Sequence, residues 1–231
     1  MNKSTLETKY TEIFEKYAGN EFDHLLDRKI GVHFDEDEQE ADILFVGINP
    51  SYLGGEKDTH FFFDRTSPNP YFQALLRMRN ALDSTLKWTH IDILAFKETD
   101  QKYIEELFKK PNGIEFLFDQ IQVAKARLEH IKPKVILVAN AKARQFMGKD
   151  RITFLDEDNR EDENVWMGLN FQFDEELGCD VIQASDDTPE ALVGTPVFFS
   201  SMLSGQRALD RGSWERLAWQ IKRVLKMGIN H

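Results

Sequence analysis

The stretch Ile43-Leu44-Phe45-Val46-Gly47-Ile48-Asn49-Pro50-Ser51 decides the fold. Its first four residues are apolar without alternation, the pattern of a short strand buried on both faces in the middle of a parallel sheet. Gly47 closes the run, and Pro50, with no N–H to donate, forbids the strand from continuing. Gly54 and Gly55 follow and permit tight turns. Parallel α/β sheets gather their ligands beyond the carboxyl ends of their strands. The loop after Gly47 is therefore the first place to expect a site.

Upstream, Ser4 and Glu7 have the spacing of a capping box, and Leu6, Tyr10, Ile13, Phe14 and Tyr17 recur at helical intervals up to Gly19. An amphipathic first helix is expected there. Downstream, the pattern predicts a helix over 70–82 with Phe72, Leu75, Leu76 and Met78 inward, and a second strand over 90–96. Helices follow near 101–110 and 114–131, then a third strand over 134–139 and a short helix from Asn140 to Met147. The stretch 165–184 alternates less clearly and reads either as antiparallel strands or as an irregular insertion. A fourth strand is expected over 195–200. A last helix, capped by Ser213, uses Trp214, Leu217, Ala218, Ile221, Val224 and Leu225 as its buried stripe. Strands alternating with helices argue for one α/β domain over 1–231, its core at about 42–226. The expected architecture is a mainly parallel four-stranded central sheet flanked by helices.

At 231 residues the chain is long enough to bury a proper core. Its 41% hydrophobic and 30% charged residues give the balance of a globular protein rather than a disordered one. No apolar run approaches the length of a bilayer, and Met1-Asn2-Lys3-Ser4 leads straight into an amphipathic helix. A cytoplasmic location with no membrane partner is the expectation. Cys179 is the only cysteine, which excludes an internal disulfide and any cysteine-bound cluster or zinc ribbon. His24, His33, His60, His90, His130 and His231 show no paired ligand spacing, so neither a metal nor a cofactor is expected. The formal charge of −11 argues against a broad basic surface for phosphate. Much of the acid lies in two runs, 35–42 and 156–163, both read as solvated loop.

The segment Phe45-Val46-Gly47-Ile48-Asn49-Pro50-Ser51 resembles the first motif of the uracil-DNA glycosylase superfamily, especially its mismatch-specific branches, where a strand ends in Gly-x-Asn-Pro and a small residue. Three further segments are similar to that family in the same order. They are Phe61-Phe62-Phe63 followed by Asn69-Pro70-Tyr71-Phe72, then 133–143, then Ser201-Met202-Leu203-Ser204-Gly205 before the last helix.

The resemblance implies a glycosylase-like fold and a monofunctional enzyme that hydrolyses the N-glycosidic bond of a damaged or mispaired base in DNA. Asn49 then matches the residue that orients the hydrolytic water or steadies the departing base, with Gly47, Ile48, Pro50 and Ser51 shaping the loop around it. One of Phe61, Phe62 or Phe63 matches the aromatic that stacks on a flipped base, against the plain alternative that all three are core. Asp92 falls where several branches read the base with Asn. An ionised Asp only accepts hydrogen bonds, so uracil fits it less well than a base offering amino or imino hydrogens, against the plain alternative that Asp92 binds nearby backbone or solvent. Asn140 opens the loop after the third strand, which with the loop after Ser200 is a further place to expect a ligand. The last motif departs from the family's His-Pro-Ser or Asn-Pro-Ser: Ser201 is left as a hydroxyl donor, Ser204 as a further substrate-binding residue of the loop, and Met202 or Leu203 as an apolar wedge or as packing. Arg207 and Arg211 follow, placed for phosphate. Two other readings stand beside the enzyme: a non-catalytic module binding a nucleotide, nucleic acid or protein on the same fold, and a hydrolase of a small N-glycoside.

Overall fold

The computed structural model describes residues 1–52, 54, 62–63, 68–149, 152–155, 161–164, 166–205 and 208–228, with strand backbone alone at 62–63, 152–155 and 161–164. The chain folds as α1 (Lys3–Lys16), α2 (Asp23–Leu26), β1 (Val32–His33), β2 (Ile43–Gly47), β3 (Phe62–Phe63), α3 (Pro70–Leu82), β4 (Trp88–Asp92), α4 (Lys102–Leu107) and α5 (Gly113–Ile131). It continues as β5 (Ile136–Val138), α6 (Ala141–Met147), β6 (Ile152–Leu155), β7 (Glu161–Asn164), β8 (Asn170–Asp174), β9 (Cys179–Gln183), β10 (Pro196–Phe199) and α7 (Arg211–Met227).

The main sheet has six strands rather than the expected four, in the order β4-β2-β5-β10-β9-β8. Strands β4, β2, β5 and β10 run parallel, and β9 pairs antiparallel with both β10 and β8. The extra pair comes from the stretch whose alternation was indistinct. Its edge strand β8 is exposed or half-buried at every position, so no clean inward face marks it.

Side-chain alternation on the buried strands sorts the core into two layers. Leu44 and Val46 of β2, with Ile136 and Val138 of β5, face a cluster that includes Leu6, Tyr10 and Phe14 of α1 and Phe116, Ile121 and Leu128 of α5. Ile43, Phe45 and Leu137 face the opposite cluster, with Leu75 and Met78 of α3 and Leu217, Ile221 and Val224 of α7. Burying each such side chain contributes about 1.5–3 kcal/mol of transfer free energy. The result is helices on both faces of the sheet. Among the described residues no helix is long and apolar enough to cross a membrane.

Several local expectations shift. Helix α1 starts two residues early because Asn2 is its cap: Asn2 Oδ1 accepts from Thr5 N at 2.8 Å, and the Ser4–Glu7 box is not used. Helix α7 is capped by Asp210, which accepts from Ser213 N at 3.0 Å, so Ser213 lies inside the helix. Strand β4 spans Trp88–Asp92 instead of 90–96, because it pairs residue for residue with β2 and stops opposite Gly47. The first acidic run is only partly solvated. Glu38 is buried against Arg127, and Asp42 accepts from Lys87 N at 2.8 Å and pairs with Lys134.

Candidate functional site

Beyond the carboxyl ends of β2, β4 and β5 lies a cavity of about 410 Å³. Gly47, Ile48, Asn49, Pro50 and Ser51 form one wall, and Asp92, Asn140, Met202, Ser204 and Gly205 complete others. Tyr71, Phe72, Glu98, Thr99 and Gln101 also line it. The volume falls within the range of small-ligand sites.

Asn49 is held in one orientation. Its Nδ2 donates to the carbonyl oxygens of Glu98 at 2.7 Å, Pro50 at 3.1 Å and, more loosely, Phe96 at 3.4 Å. Three carbonyls around that atom require the amide nitrogen there, since oxygen facing oxygen is repulsive. Oδ1 is left as an acceptor with no hydrogen bond from the described residues. The loop is braced independently. Leu94 N donates to Ile48 O at 2.8 Å and Glu98 N to Pro50 O at 2.9 Å. Thr99 Oγ1 accepts from Tyr52 N and donates to Tyr52 O. The Glu98 carboxylate is itself engaged, accepting from Thr99 N at 2.7 Å and Asp100 N at 2.9 Å and pairing with Arg28.

The floor is built around Gly47. A Cβ added there would overlap Asp92 Oδ1, lie 2.8 Å from Tyr71 Oη and lie 3.1 Å from His90 Nε2. Only glycine lets three polar side chains close over the strand end. Gly47→Ala is expected to displace them and to lower stability by about 1–3 kcal/mol, as overpacking of a filled interior does. A thermal melt checks this, and an unchanged transition would contradict the close approach.

Tyr71 Oη lies 3.0 Å from His90 Nε2, and Asp92 Oδ1 lies 3.6 Å from the same nitrogen. Burial holds His90 well below the ordinary histidine range, helped by His33 and Arg127, so the imidazole is neutral. Burial also raises the Tyr71 hydroxyl well above its usual value, with Asp92 adding to the effect. The Asp92 carboxyl is pushed up to about 7 by burial, against a smaller opposing pull from Arg127.

The remaining expectations divide. Asn140 lines the cavity but spends its Oδ1 capping α6, accepting from Lys142 N at 2.8 Å and Ala143 N at 3.2 Å. Met202 and Ser204 reach the cavity. Leu203 turns into the core beside α7 and is packing rather than a wedge. Ser201 is exposed outside the cavity lining. Arg211 is the exposed first residue of α7 and pairs with Glu215. Phe61 and Arg207 lie outside the described residues. Of Phe62 and Phe63 only the strand backbone is described, paired in parallel with Val32 and His33. The aromatic rings lining the described cavity are Tyr71 and Phe72.

Neither Tyr71 nor His90 stands out in the sequence as a site residue in its own right. A signal for His90 was present, because residues two apart on a strand share a face and Asp92 was already marked. Among the described residues no group of three or more His, Cys, Asp or Glu is placed to hold a metal ion. Comparison of the chain with known protein families and with curated proteins finds no match.

Proposed function

We propose that the chain is a uracil-DNA glycosylase-like hydrolase that cleaves the N-glycosidic bond of a damaged or mispaired base in DNA. The observation that carries this reading is Asn49, whose amide is tied down through Nδ2 so that Oδ1 offers an acceptor beside the cavity. In this mechanism Asn49 Oδ1 accepts a hydrogen bond from a water positioned to attack the sugar carbon. The carbon–nitrogen bond breaks, its electron pair leaves with the base, the water adds to the sugar as hydroxyl, and the water's released proton neutralises the departing base anion. A neutral amide orients this water without removing its proton, which suits a reaction driven by departure of the base. The base must leave the helix to enter the cavity, and an aromatic face offsets part of that cost.

A second reading is a hydrolase of a small N-glycoside. It is favoured by the net charge of −11 and by the absence of Lys, Arg or His from the described cavity lining. Hydrolysis of one modified base, offered as nucleoside and within an oligonucleotide over a range of salt, separates the two. The DNA reading predicts preference for the oligonucleotide and binding that weakens steeply as salt rises. Equal turnover of the free nucleoside, insensitive to salt, would establish the second reading.

A further inference from the structure

Asp92 sits at the last position of β4 with its side chain only 9% exposed, facing the cavity. No described residue gives its carboxyl a hydrogen bond. The polar groups beside it at the strand end, Tyr71 and His90, carry no compensating charge. Tyr71 on α3 and His90 on β4 are neutral, and His33 on β1 lies edge-on against His90, with ring centroids 5.7 Å apart. Tyr10 on α1 is buried, and burial with the field of Asp92 keeps its hydroxyl protonated against the pull of Arg127. Arg127 on α5, a cation felt at this site, is committed to Glu38 at 2.7 Å. A buried carboxylate without a paired charge is costly, so the acid form is favoured where water is excluded.

The chemistry of the ligand follows. A carboxylic acid presents one donor and one acceptor side by side, whereas a carboxylate presents two acceptors. Taking the site as a base pocket, as in the function proposed above, we propose that Asp92 meets its ligand as the neutral acid and selects a base whose edge pairs one N–H with one carbonyl, as in uracil or hypoxanthine. The acid hydroxyl donates to the base carbonyl, and the acid carbonyl accepts from the ring N–H. Ionisation removes the donor and places two oxygens against the base carbonyl, so the same base is rejected. The sequence alone, which treats Asp as ionised, points to the opposite preference. The site is thereby selective for a lactam edge below neutrality and loses that selectivity above it.

Equilibrium binding of 2′-fluoro-2′-deoxyuridine tests this, both as the free nucleoside and within a single-stranded oligonucleotide. The fluorine slows glycosidic cleavage, so the readout is binding whether or not the protein is a hydrolase. With the carboxyl titrating near 7, wild-type affinity is expected to fall about tenfold between pH 6 and pH 8 at constant salt. Asp92→Asn keeps a donor and an acceptor at every pH and is expected to bind with no such fall. Wild-type binding that is flat or stronger at pH 8, or no binding of either probe at pH 6, overturns the proposal. The two proposals fail separately. A pH-dependent binder that releases no uracil from DNA defeats the glycosylase reading alone, and base release with flat binding defeats only the role of Asp92.

Discussion

Asn49→Ala is expected to lower turnover by about 10²–10³-fold while leaving ligand affinity within a few-fold of wild type. The substitution deletes the Oδ1 acceptor but spares the loop that carries it. That loop stays held by Leu94 N to Ile48 O, Glu98 N to Pro50 O and the paired contacts of Tyr52 with Thr99. The Nδ2 bonds to Glu98 and Pro50 are lost, at a cost of about 1 kcal/mol each in folding. Single-turnover base release alongside equilibrium binding separates the two effects. A rate that survives the substitution would remove Asn49 from the chemistry, and a collapse of affinity with the rate would make it a binding residue instead.

The largest effect on stability is expected outside the cavity lining, at Arg127. Its guanidinium is 1% exposed and Nη2 donates to Glu38 Oε2 at 2.7 Å, with Glu38 2% exposed. Arg127→Ala leaves a carboxylate buried without its counter-charge and is expected to destabilise the protein by about 3–5 kcal/mol. For a chain of this size that corresponds to a melting temperature lower by roughly 6–20 °C. Replacing both partners by methionine is expected to recover most of the loss, because the uncompensated charge is gone. A melting temperature for Arg127→Ala close to wild type would show that the pair contributes little. The pair also acts on the site through its field, since Arg127 is the influence that pulls the Asp92 carboxyl down.

Local signals in the sequence suffice where the structure depends on near neighbours. The apolar run 43–46 and the break at Pro50 locate the central strand and the loop that carries Asn49. The helix Pro70–Leu82 begins and ends where its pattern says. Glu38 is different. It lies in a run of acids that looks solvated, and its burial depends on a partner 89 residues away on α5. No periodicity carries that information. Asp92 shows the same limit in its chemistry, for its identity suggests a permanent acceptor, yet burial and the lack of a paired cation favour the neutral acid. Leu203 was open between wedge and packing, and the apolar face of α7 resolves it as packing. The β8–β9 hairpin escaped definition because its outer strand is half wet on both faces.

Base release is the measurement that bears most directly on the proposed hydrolysis. Single- and double-stranded oligonucleotides carrying uracil, mispaired thymine, hypoxanthine or xanthine are incubated with the folded protein, and abasic sites are revealed with alkali. The predicted result is strand cleavage at one or more of the lactam-bearing bases, lost in Asn49→Ala. No release from any substrate, with an active glycosylase as positive control, would contradict it and leave the cavity as a binding site or as the site of a small N-glycoside hydrolase.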